Sequence, residues 1–596
     1  MRKGFALVST LIFLTVLMAL LTAYFVLTRI ELGTTVASAR QTTGFYAAEA
    51  GLNLRAEEVR QRFLGYNRPS GTSPSPTNPC EGSNQGTGDF ACKTYTLSGR
   101  TVRTYVVEAA GNPQSVTIPP GELFGGLEAQ EYRYILFSEA IGPDGRTEAV
   151  LELQFKSRLV PMFQFAAFYN KDLEILPGPN MTLNGRVHTN GDLYLNAGTV
   201  STLTIQGQVS TAGHLLRGRK DQDSCTGTVN IHRPNGQPQS LGCGSGGKRR
   251  SYAQSEVSSW GDRIMIGVNP VTVPAPEELD PLPGKSYWEK ADLRLGLDLG
   301  VNPPEVKVYR VSGGTNVVDV VATQTLNSCN AVGTTASFYN WRELKTIRML
   351  EVDLQKLLDC VHENPVSFGF RIDDTTEGGL VFHFTVFGPQ SNTINNYGVR
   401  VRNASTISAS IAGAPRPRGL TLVSDQAFYI QGDFNRDDWI PTAVLADSIN
   451  ILSNNWDDSR SNLTLSQRVA SDTTVNAAFL AGTDTTGGTE GADGRDRGNY
   501  NGGLENYPRF HETWSDKTLT YRGSFVSLGT PRKVNGAWCG TGGSGTNGVR
   551  TSGYNIYNPP IRNWSYDTRF SLGQLPPLSP RFVYLKQERF LRYFER

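Results

Sequence analysis

The chain has 596 residues, among them 63 Gly and 32 Pro. This length exceeds what one hydrophobic core organises, so two to four domains are expected, and the Gly and Pro content favours a β- and turn-rich body over a helical enzyme. Lys and Arg number 57 against 55 Asp and Glu. The overall charge therefore argues neither for nor against nucleic acid, and only a local patch of charge would do so.

The first predicted element is a long N-terminal helix. Phe5–Leu27 is a run of twenty-three residues without a charged side chain, and helical patterning continues to about Phe63. A hydrocarbon core requires about 20 apolar residues, so the first half of this helix is long enough to cross a membrane. A secretory signal and a plain anchor are the simpler interpretations. Polar, helix-compatible sequence follows at once, however, without the small-residue cleavage site of a signal peptide.

The second half of the helix is amphipathic. Phe45, Ala48, Leu52, Val59 and Phe63 recur at spacings of three, four or seven, which places them on one helical face. A continuous helix that is apolar all round and then amphipathic resembles the type IV pilins. The segment Phe45-Tyr-Ala-Ala-Glu-Ala-Gly-Leu52 resembles the one shared by minor pilins of the PilX type.

This resemblance implies how the helix is processed and used. It implies a leader over residues 1–4, cleavage between Gly4 and Phe5 by prepilin peptidase, methylation of the new N-terminus, and assembly roles for Ser9 and Glu49. Pilins usually carry Glu at the fifth mature position, where this chain has Ser9. A carboxylate in a membrane is costly and persists when it is paired. The resemblance implies that the Glu of pilins pairs with the N-terminal amine of a neighbouring subunit already in the fibre. The absence of Glu here therefore favours a subunit at the tip or at the start of assembly. The alternative is that Ser is simply tolerated in a minor subunit.

The resemblance also implies location and partners. The chain would be a single-pass protein of the inner membrane before assembly and part of a cell-surface pilus afterwards, with its head in the periplasm or outside the cell. Its partners would be other major and minor pilins.

Residues 65–160 are predicted to form an antiparallel sheet. Tyr132–Ile141 and Glu148–Leu159 alternate in polarity, and the turn Gly142–Gly145 joins them as a hairpin. The long helix of residues 5–64 packed on this sheet would make an α+β pilin head.

A repeat organises the sequence beyond the head. Met181–Leu195 aligns with Leu203–Arg217 at an offset of 22, and Leu422–Asp425 aligns with Val444–Asp447 at the same offset. Short alternating strands with Gly at the corners are typical of a β-solenoid, so a parallel β-solenoid is predicted over 161–217 and 419–596. An ordinary β-sandwich and a chance alignment are the alternatives.

Residues 218–418 are predicted to interrupt this solenoid as an insertion. Residues 218–284 have the composition of a loop, and 285–418 have an α/β pattern with a helix near Asn340–Cys360. A PilX-type N-terminus, a large β-solenoid and an inserted α/β domain together resemble the oversized minor pilins of thermophile competence systems. That resemblance implies a non-enzymatic pilus subunit for DNA uptake in natural transformation, at or near the tip.

The cysteines are spaced as local pairs. Cys80/Cys92, Cys225/Cys243 and Cys329/Cys360 are predicted disulfides of an oxidising compartment, with Cys539 left over. No CxxC motif occurs, which argues against zinc.

A basic cluster surrounds one cysteine pair and is the candidate for nucleic-acid contact, since Lys and Arg bind phosphates without reading sequence. DNA would then be bound directly or through a partner pilin, and a solvated charged loop is the alternative. The cluster comprises Arg217, Arg219, Lys220, Lys248, Arg249 and Arg250.

The sequence contains one weak calcium candidate. Asp433, Asn435 and Asp437 have the spacing that opens a calcium loop, but Asp438 stands where Gly is needed and Val444 where Glu is needed.

The six His are scattered without an HExxH motif or a GxSxG elbow. No cofactor and no enzymatic activity are predicted. The rival functions are a tip pseudopilin of a type II secretion system and an adhesin or carbohydrate-binding pilus tip.

Overall fold

The computed structural model describes residues 2–64, 68–486, 503–536, 538 and 556–593. The chain divides into two compact units. The first comprises Met1–Val116, Gln130–Leu159 and the chain from Val583 onward, and the second comprises Thr117–Ala129 and Val160–Phe582.

In the first unit, a single helix spans Arg2–Leu64, as the hydrophobic pattern predicted. Ala48, Leu52 and Val59 are buried on one face of its second half, against the sheet of this unit. Small residues permit the close approach, because a Cβ added at Gly51 would lie 2.6 Å from Val102 Cγ1 and one at Gly44 would lie 2.5 Å from Glu148 Cβ. The side chain of Phe63 lies outside the described part of the structure.

The sheet of the first unit is antiparallel through its central strands, and the hairpin at residues 142–145 is confirmed by the pairing of Ile141 with Thr147. A short antiparallel ribbon of Gly71–Thr72 and Thr87–Gly88 accompanies it. The strands run in the order Lys93–Leu97, Arg100–Glu108, Glu128–Ile141, Thr147–Pro161 and Arg581–Tyr593, with Gln114–Thr117 beside Glu128–Ile141.

The last strand corrects the predicted domain division. Residues 419–596 were expected to be solenoid, but Arg581–Tyr593 lies next to Thr147–Pro161 in the sheet of the first unit. Tyr593 donates a hydrogen bond to Glu152, and Lys156 Nζ lies 2.9 Å from Glu588 Oε1. Strand pairing joins segments that are far apart in sequence, and no local pattern identifies the partner.

In the second unit, the 22-residue repeat becomes three parallel strand stacks. Met181 pairs with Leu203, Val187 with Val209 and Leu193 with Leu215, each at the offset of the aligned sequences. The same offset recurs downstream, where Leu422 pairs with Val444. Each repeat contributes three strands, because the corner at Asn190–Asp192 separates Arg186–Thr189 from Leu193–Leu195.

Two short sheets form the sides of these repeats. One has the order Met181–Leu183, Thr202–Ile205, Thr228–His232, Pro238–Ser240, and the other has the order Arg250–Tyr252, Leu215–Arg217, Leu193–Leu195, Leu173–Ile175.

A long mixed sheet connects the early and late repeats. Phe165–Tyr169, the first strand of this sheet in the chain, pairs in parallel with Arg186–Thr189 on one side and Thr518–Ser527 on the other. The strand order is Ile264–Ile266, Val209–Thr211, Arg186–Thr189, Phe165–Tyr169, Thr518–Ser527, Thr473–Ala481, Thr442–Ala446, Leu420–Val423, Leu380–Phe387, Leu293–Asp298, Glu305–Ser312, Thr315–Val318, with Ala404–Thr406, Phe434–Asp437 and Ile561–Tyr566 at its side.

A second mixed sheet faces part of this long one. Its order is Val332–Gly333, Lys345–Asp353, Tyr397–Arg402, Ala427–Gln431, Ser448–Leu452, Arg509–Phe510, with Ser337–Asn340 beside Lys345–Asp353.

The predicted insertion is corrected by these two sheets. Leu380–Phe387 pairs in parallel with Leu420–Val423, and Tyr397–Arg402 pairs in parallel with Ala427–Gln431, so residues 285–418 add strands to the sheets of the later repeats. Parallel strands that are buried on both faces appear in sequence as continuous apolar runs, and the long connections between them conceal any period.

The helix expected near Asn340–Cys360 is also corrected. Its first part is the strand Lys345–Asp353, and the helix is Leu354–Glu363, for which the Asp353 side chain accepts the Lys356 backbone N–H as an N-cap. The other short helices are Ser286–Glu289, Val320–Ser328 and Pro365–Phe368, and the 3₁₀ turns are Met162–Gln164, Ser245–Gly247, Gln254–Arg263, Pro276–Leu279, Asp458–Arg460, Leu465–Gln467, Gly503–Asn506 and Thr568–Leu572.

Candidate functional site: the exposed apolar helix

The first half of the N-terminal helix presents apolar side chains all round. Phe5 is 79% exposed, and large apolar residues remain exposed as far as Val36. The helix contains an 18-residue window with a mean hydropathy of 2.4, and within the described residues it is the one helix long and apolar enough to cross a membrane. It is therefore compatible with a membrane anchor, although a signal sequence would meet the same criterion.

Ser and Thr hydroxyls in this half form hydrogen bonds within the helix. The hydroxyls of Ser9, Thr10, Thr15, Thr22 and Thr28 each donate to a carbonyl three or four residues earlier, at 2.7–2.9 Å. In a hydrocarbon core no water replaces such a partner, so an unsatisfied hydroxyl would be costly. The Ser and Thr hydroxyls of this half are thus placed where the helix backbone accepts them.

The predicted processing and assembly residues lie along this helix but do not converge. Gly4 and Phe5 are in continuous helix, and Ser9 Oγ donates to the Phe5 carbonyl at 2.8 Å. Glu49 is half-buried more than forty residues later. Their functional roles rest on the resemblance and stay predictions.

The second half of the helix is held to its own unit by polar contacts as well as apolar ones. Arg55 is buried and donates to the carbonyls of Asp89 and Ala91, both at 2.7 Å, and to Glu58 at 2.6 Å. Charge-assisted hydrogen bonds of this kind are roughly twice as strong as neutral ones. Sequence reasoning missed Arg55, because only the three-dimensional fold shows that it faces inward among apolar neighbours.

The three predicted disulfides are present. Cys80–Cys92, Cys225–Cys243 and Cys329–Cys360 are bonded, with Cα–Cα distances of 5.6, 5.7 and 5.8 Å. Cys539 lies outside the described residues. Bonded cysteines of this spacing are typical of an oxidising compartment.

The predicted basic patch is not assembled as expected. Three of its cations form ion pairs at 2.7–3.0 Å: Arg219 with Asp221, Lys220 with Asp172 and Arg250 with Glu256. Arg249 donates to the carbonyls of Arg219 and Lys220. Most of these cations therefore already contact carboxylates or carbonyls of the protein, which leaves less positive charge for phosphates. Of the predicted cations, Lys248 is the exposed one.

Arg217 is the clearest correction, because its side chain is buried. Its guanidinium donates to the carbonyls of Leu195, Thr226, Gly227 and Leu241 and to Asn196. Burial lowers the pKa of Arg217 to about 10. Its role is to satisfy carbonyls at a corner of the repeat, not to contact DNA.

The calcium candidate is also corrected. Arg436 pairs with the carboxylates of both Asp433 and Asp437. Asn435 is buried, and its side-chain oxygen accepts the Ile440 N–H at 3.1 Å. These oxygens are turned to protein donors, and within the described part of the chain no group of three or more His, Cys, Asp or Glu is arranged to hold a metal ion.

Comparisons with known proteins add one similarity. No model of a protein family matches the chain, and no curated protein matches it. A similar solved structure is that of the competence-associated pilin ComZ from Thermus thermophilus, which is 14% identical. The match covers 93% of this chain and 98% of that chain, with a TM-score of 0.26. A score this low carries no conclusion about fold or function.

Proposed function

We propose that this protein is a non-enzymatic minor subunit of a type IV pilus that supports DNA uptake in natural transformation. The observation that carries the proposal is the continuous helix Arg2–Leu64, which is exposed and apolar in its first half and packed on an antiparallel sheet in its second. An anchor alone needs only the first half. A helix that continues into the head is suited to transfer from a membrane into the core of a fibre.

The N-terminus supplies the steps of that transfer. Prepilin peptidase cuts between Gly4 and Phe5, and the apolar half then exchanges lipid for the helices of neighbouring pilins. Its internally bonded hydroxyls suit both surroundings, because neither offers water. Ser9 cannot form the ion pair that Glu would offer, so the subunit sits at or near the tip.

In this proposal the second unit is a parallel β-solenoid. The in-register pairing of Val187 with Val209 and of Leu422 with Val444 supports a repeated coil. Such a body is a rigid platform for other pilins, and it engages DNA directly or through a partner pilin. The partner-pilin route gains weight from the internal pairing of the basic cluster.

A chromosomal replacement series tests this function. Gly4→Val blocks cleavage, so the protein keeps the mass of its four leader residues, stays in the inner membrane and loses transformation like a deletion strain. Gly33→Ala is the matched control, because a Cβ at Gly33 has no neighbour within 4 Å, and it should transform normally. Intact-protein mass spectrometry and transformation frequency are the measurements.

The same strains separate the rival functions. Loss of secretion with normal transformation would assign the protein to a type II secretion system. Loss of surface attachment alone would assign it to an adhesive tip. Either outcome contradicts the proposal.

A further inference from the structure

The second unit contains an open polar groove of about 560 Å³. One wall is formed by equivalent corners of consecutive repeats, Asn184–Arg186 and Gln206–Gln208. Gly125–Leu127 and the residues Tyr566, Thr568 and Ser571 also line the groove. None of the residues predicted from sequence to be functional lines this groove.

The repeat aligns side chains along the groove as a ladder. Arg186, Gln208 and Arg263 directly precede Val187, Val209 and Ile264, which are register partners on three neighbouring strands. Neighbouring strands lie about 4.8 Å apart, so the two arginines are separated by two steps, roughly 10 Å. The ladder therefore places two positive charges, with Gln208 between them, along one line.

Glycines at the corners make this alignment possible. A Cβ at Gly207 would lie 2.0 Å from the Gly185 carbonyl oxygen, and a Cβ at Gly185 would lie 2.7 Å from the Tyr566 ring. Both distances are too short for any side chain, so the corners stack with backbone against backbone. This stacking brings Arg186 Nη1 to 2.5 Å from Gln208 Oε1.

The groove carries more positive than negative charge. Arg186 also donates to the Gly125 carbonyl at 2.6 Å, and Arg263 donates to the Gln206 carbonyl at 3.3 Å. Neither forms a salt bridge within the described residues, and Asp262 is the carboxylate that lines the groove with them. Burial and the charge of Arg263 both lower the pKa of Arg186. An arginine has five N–H donors, so most donors of this pair remain for an anionic ligand.

The rest of the lining is suited to hydroxyl groups rather than to bases. Gln206 and Thr568 are exposed and present an amide and a hydroxyl to the groove. The aromatic ring that lines it, Tyr566, is buried against Gly185 and donates its hydroxyl to the Phe163 carbonyl. Single-stranded nucleic acids are bound largely by stacking of bases on exposed rings, and the described residues that line this groove include no exposed ring.

We propose that the groove binds an acidic oligosaccharide, with Arg186 and Arg263 pairing with sugar carboxylates and Gln206 and Thr568 hydrogen-bonding sugar hydroxyls. Guanidinium groups bind carboxylates through two parallel hydrogen bonds. Arg186 and Arg263 provide two such groups along the chain of sugars. The proposal does not depend on pilus assembly, because the site lies wholly within the second unit.

Binding of defined oligomers to the full chain in detergent tests the proposal. The probes are an oligogalacturonate, an uncharged galactan oligomer of the same length, and a single-stranded DNA of equal charge, each titrated by calorimetry. The variants are Arg263→Gln, Arg186→Gln and Gln206→Ala. Lys248→Gln is the matched control, since it removes one exposed charge outside the groove. Melting temperatures establish that each variant is folded.

We expect the wild-type protein and Lys248→Gln to bind the oligogalacturonate equally. We expect Arg263→Gln and Arg186→Gln to bind it at least tenfold more weakly, and Gln206→Ala several-fold more weakly. If Arg186→Gln does not fold because its contact with Gly125 is lost, Arg263→Gln and Gln206→Ala decide the matter. The proposal is overturned if the wild type does not bind the oligogalacturonate or if Arg263→Gln binds it as tightly as the wild type. It is also overturned if the wild type binds the uncharged oligomer with equal affinity, or if it binds DNA more tightly and Arg263→Gln abolishes that binding.

Discussion

Glu343 and Arg509 form an ion pair at 2.6 Å in which both side chains are 0% exposed. The two residues are 166 positions apart in sequence. Glu343 also accepts the backbone N–H groups of Asn535 and Gly536, at 3.1 and 2.7 Å. Burial alone would raise the pKa of Glu343, but the attraction of Arg509 and these hydrogen bonds outweigh it and hold the pKa below its usual value. The pair joins distant segments of the second unit.

Removing one charge of this pair should destabilise the protein strongly. Glu343→Gln removes the negative charge that Glu343 places beside the buried Arg509, so we expect the free energy of unfolding to fall by about 3–5 kcal/mol. Urea unfolding followed by Trp fluorescence measures the change. Glu57→Gln is the control, because its pair with Arg60 lies at the surface and such pairs contribute no more than about 1 kcal/mol. A similar loss in both variants would contradict the buried role.

Glu505 should make stability depend on pH. Burial raises the pKa of Glu505 to about 8, although the attraction of Arg562 opposes the rise. An unfolded Glu has a pKa of about 4.3, so between these values the folded protein binds more protons than the unfolded chain. This group's contribution is therefore fully present below about pH 4.3 and is lost as the pH rises toward 8.

Glu505→Gln removes that loss. We expect the melting temperature of the variant to match the wild type near pH 4 and to exceed it progressively up to about pH 8. Differential scanning calorimetry at several pH values measures the difference between the two proteins. A difference that stays constant with pH would show that Glu505 does not titrate in this range.

Two glycines of the N-terminal helix test its close packing on the sheet. Gly51→Ala places a Cβ 2.6 Å from Val102 Cγ1, so we expect a loss of about 1–3 kcal/mol from overpacking. Gly33→Ala adds the same methyl group where nothing lies within 4 Å, and the better helix propensity of Ala should leave stability unchanged or slightly improved. Thermal unfolding compares the pair, and equal behaviour would rule out tight contact at Gly51.

Ser9→Glu tests the proposed position in the fibre. A carboxylate at this point is able to pair with the N-terminal amine of a neighbouring subunit, so we expect the variant to enter the shaft of the pilus. Ser9→Ala is the control, because it removes the hydroxyl and adds no charge. Immunogold labelling of purified pili locates both variants. Tip-only labelling of Ser9→Glu would contradict the idea that the missing Glu confines the protein to the tip.

The elements that could be predicted from local sequence are those in which apolar residues or whole segments recur at a regular spacing. The face of Ala48, Leu52 and Val59 identified the packed side of the helix, and the 22-residue offset predicted the register of Val187 with Val209. Both patterns recur within one continuous stretch of sequence, so they can be recognised without knowledge of the rest of the chain. The cysteine pairs were predictable for a related reason, since their partners are near in sequence.

The candidate binding residues were the least predictable. The basic cluster was recognised by composition, but composition does not reveal that Asp172 lies 3.0 Å from Lys220 or that Arg217 is buried among carbonyls. Conversely, Arg186 and Arg263 are 77 positions apart in sequence, and only strand pairing aligns them on one groove.

Sequence pattern alone was enough to predict the apolar helix, its amphipathic continuation and the 22-residue offset between paired strands, because each depends on periodic burial along neighbouring segments. The tertiary structure alone decided that Arg581–Tyr593 belongs to the sheet of the first unit, that Phe165–Tyr169 lies between an early and a late repeat, and which arginines face a groove. These outcomes depend on which distant strands exchange hydrogen bonds and which carboxylates neutralise which cations. Such choices are made between segments far apart in the chain, and no local pattern records them.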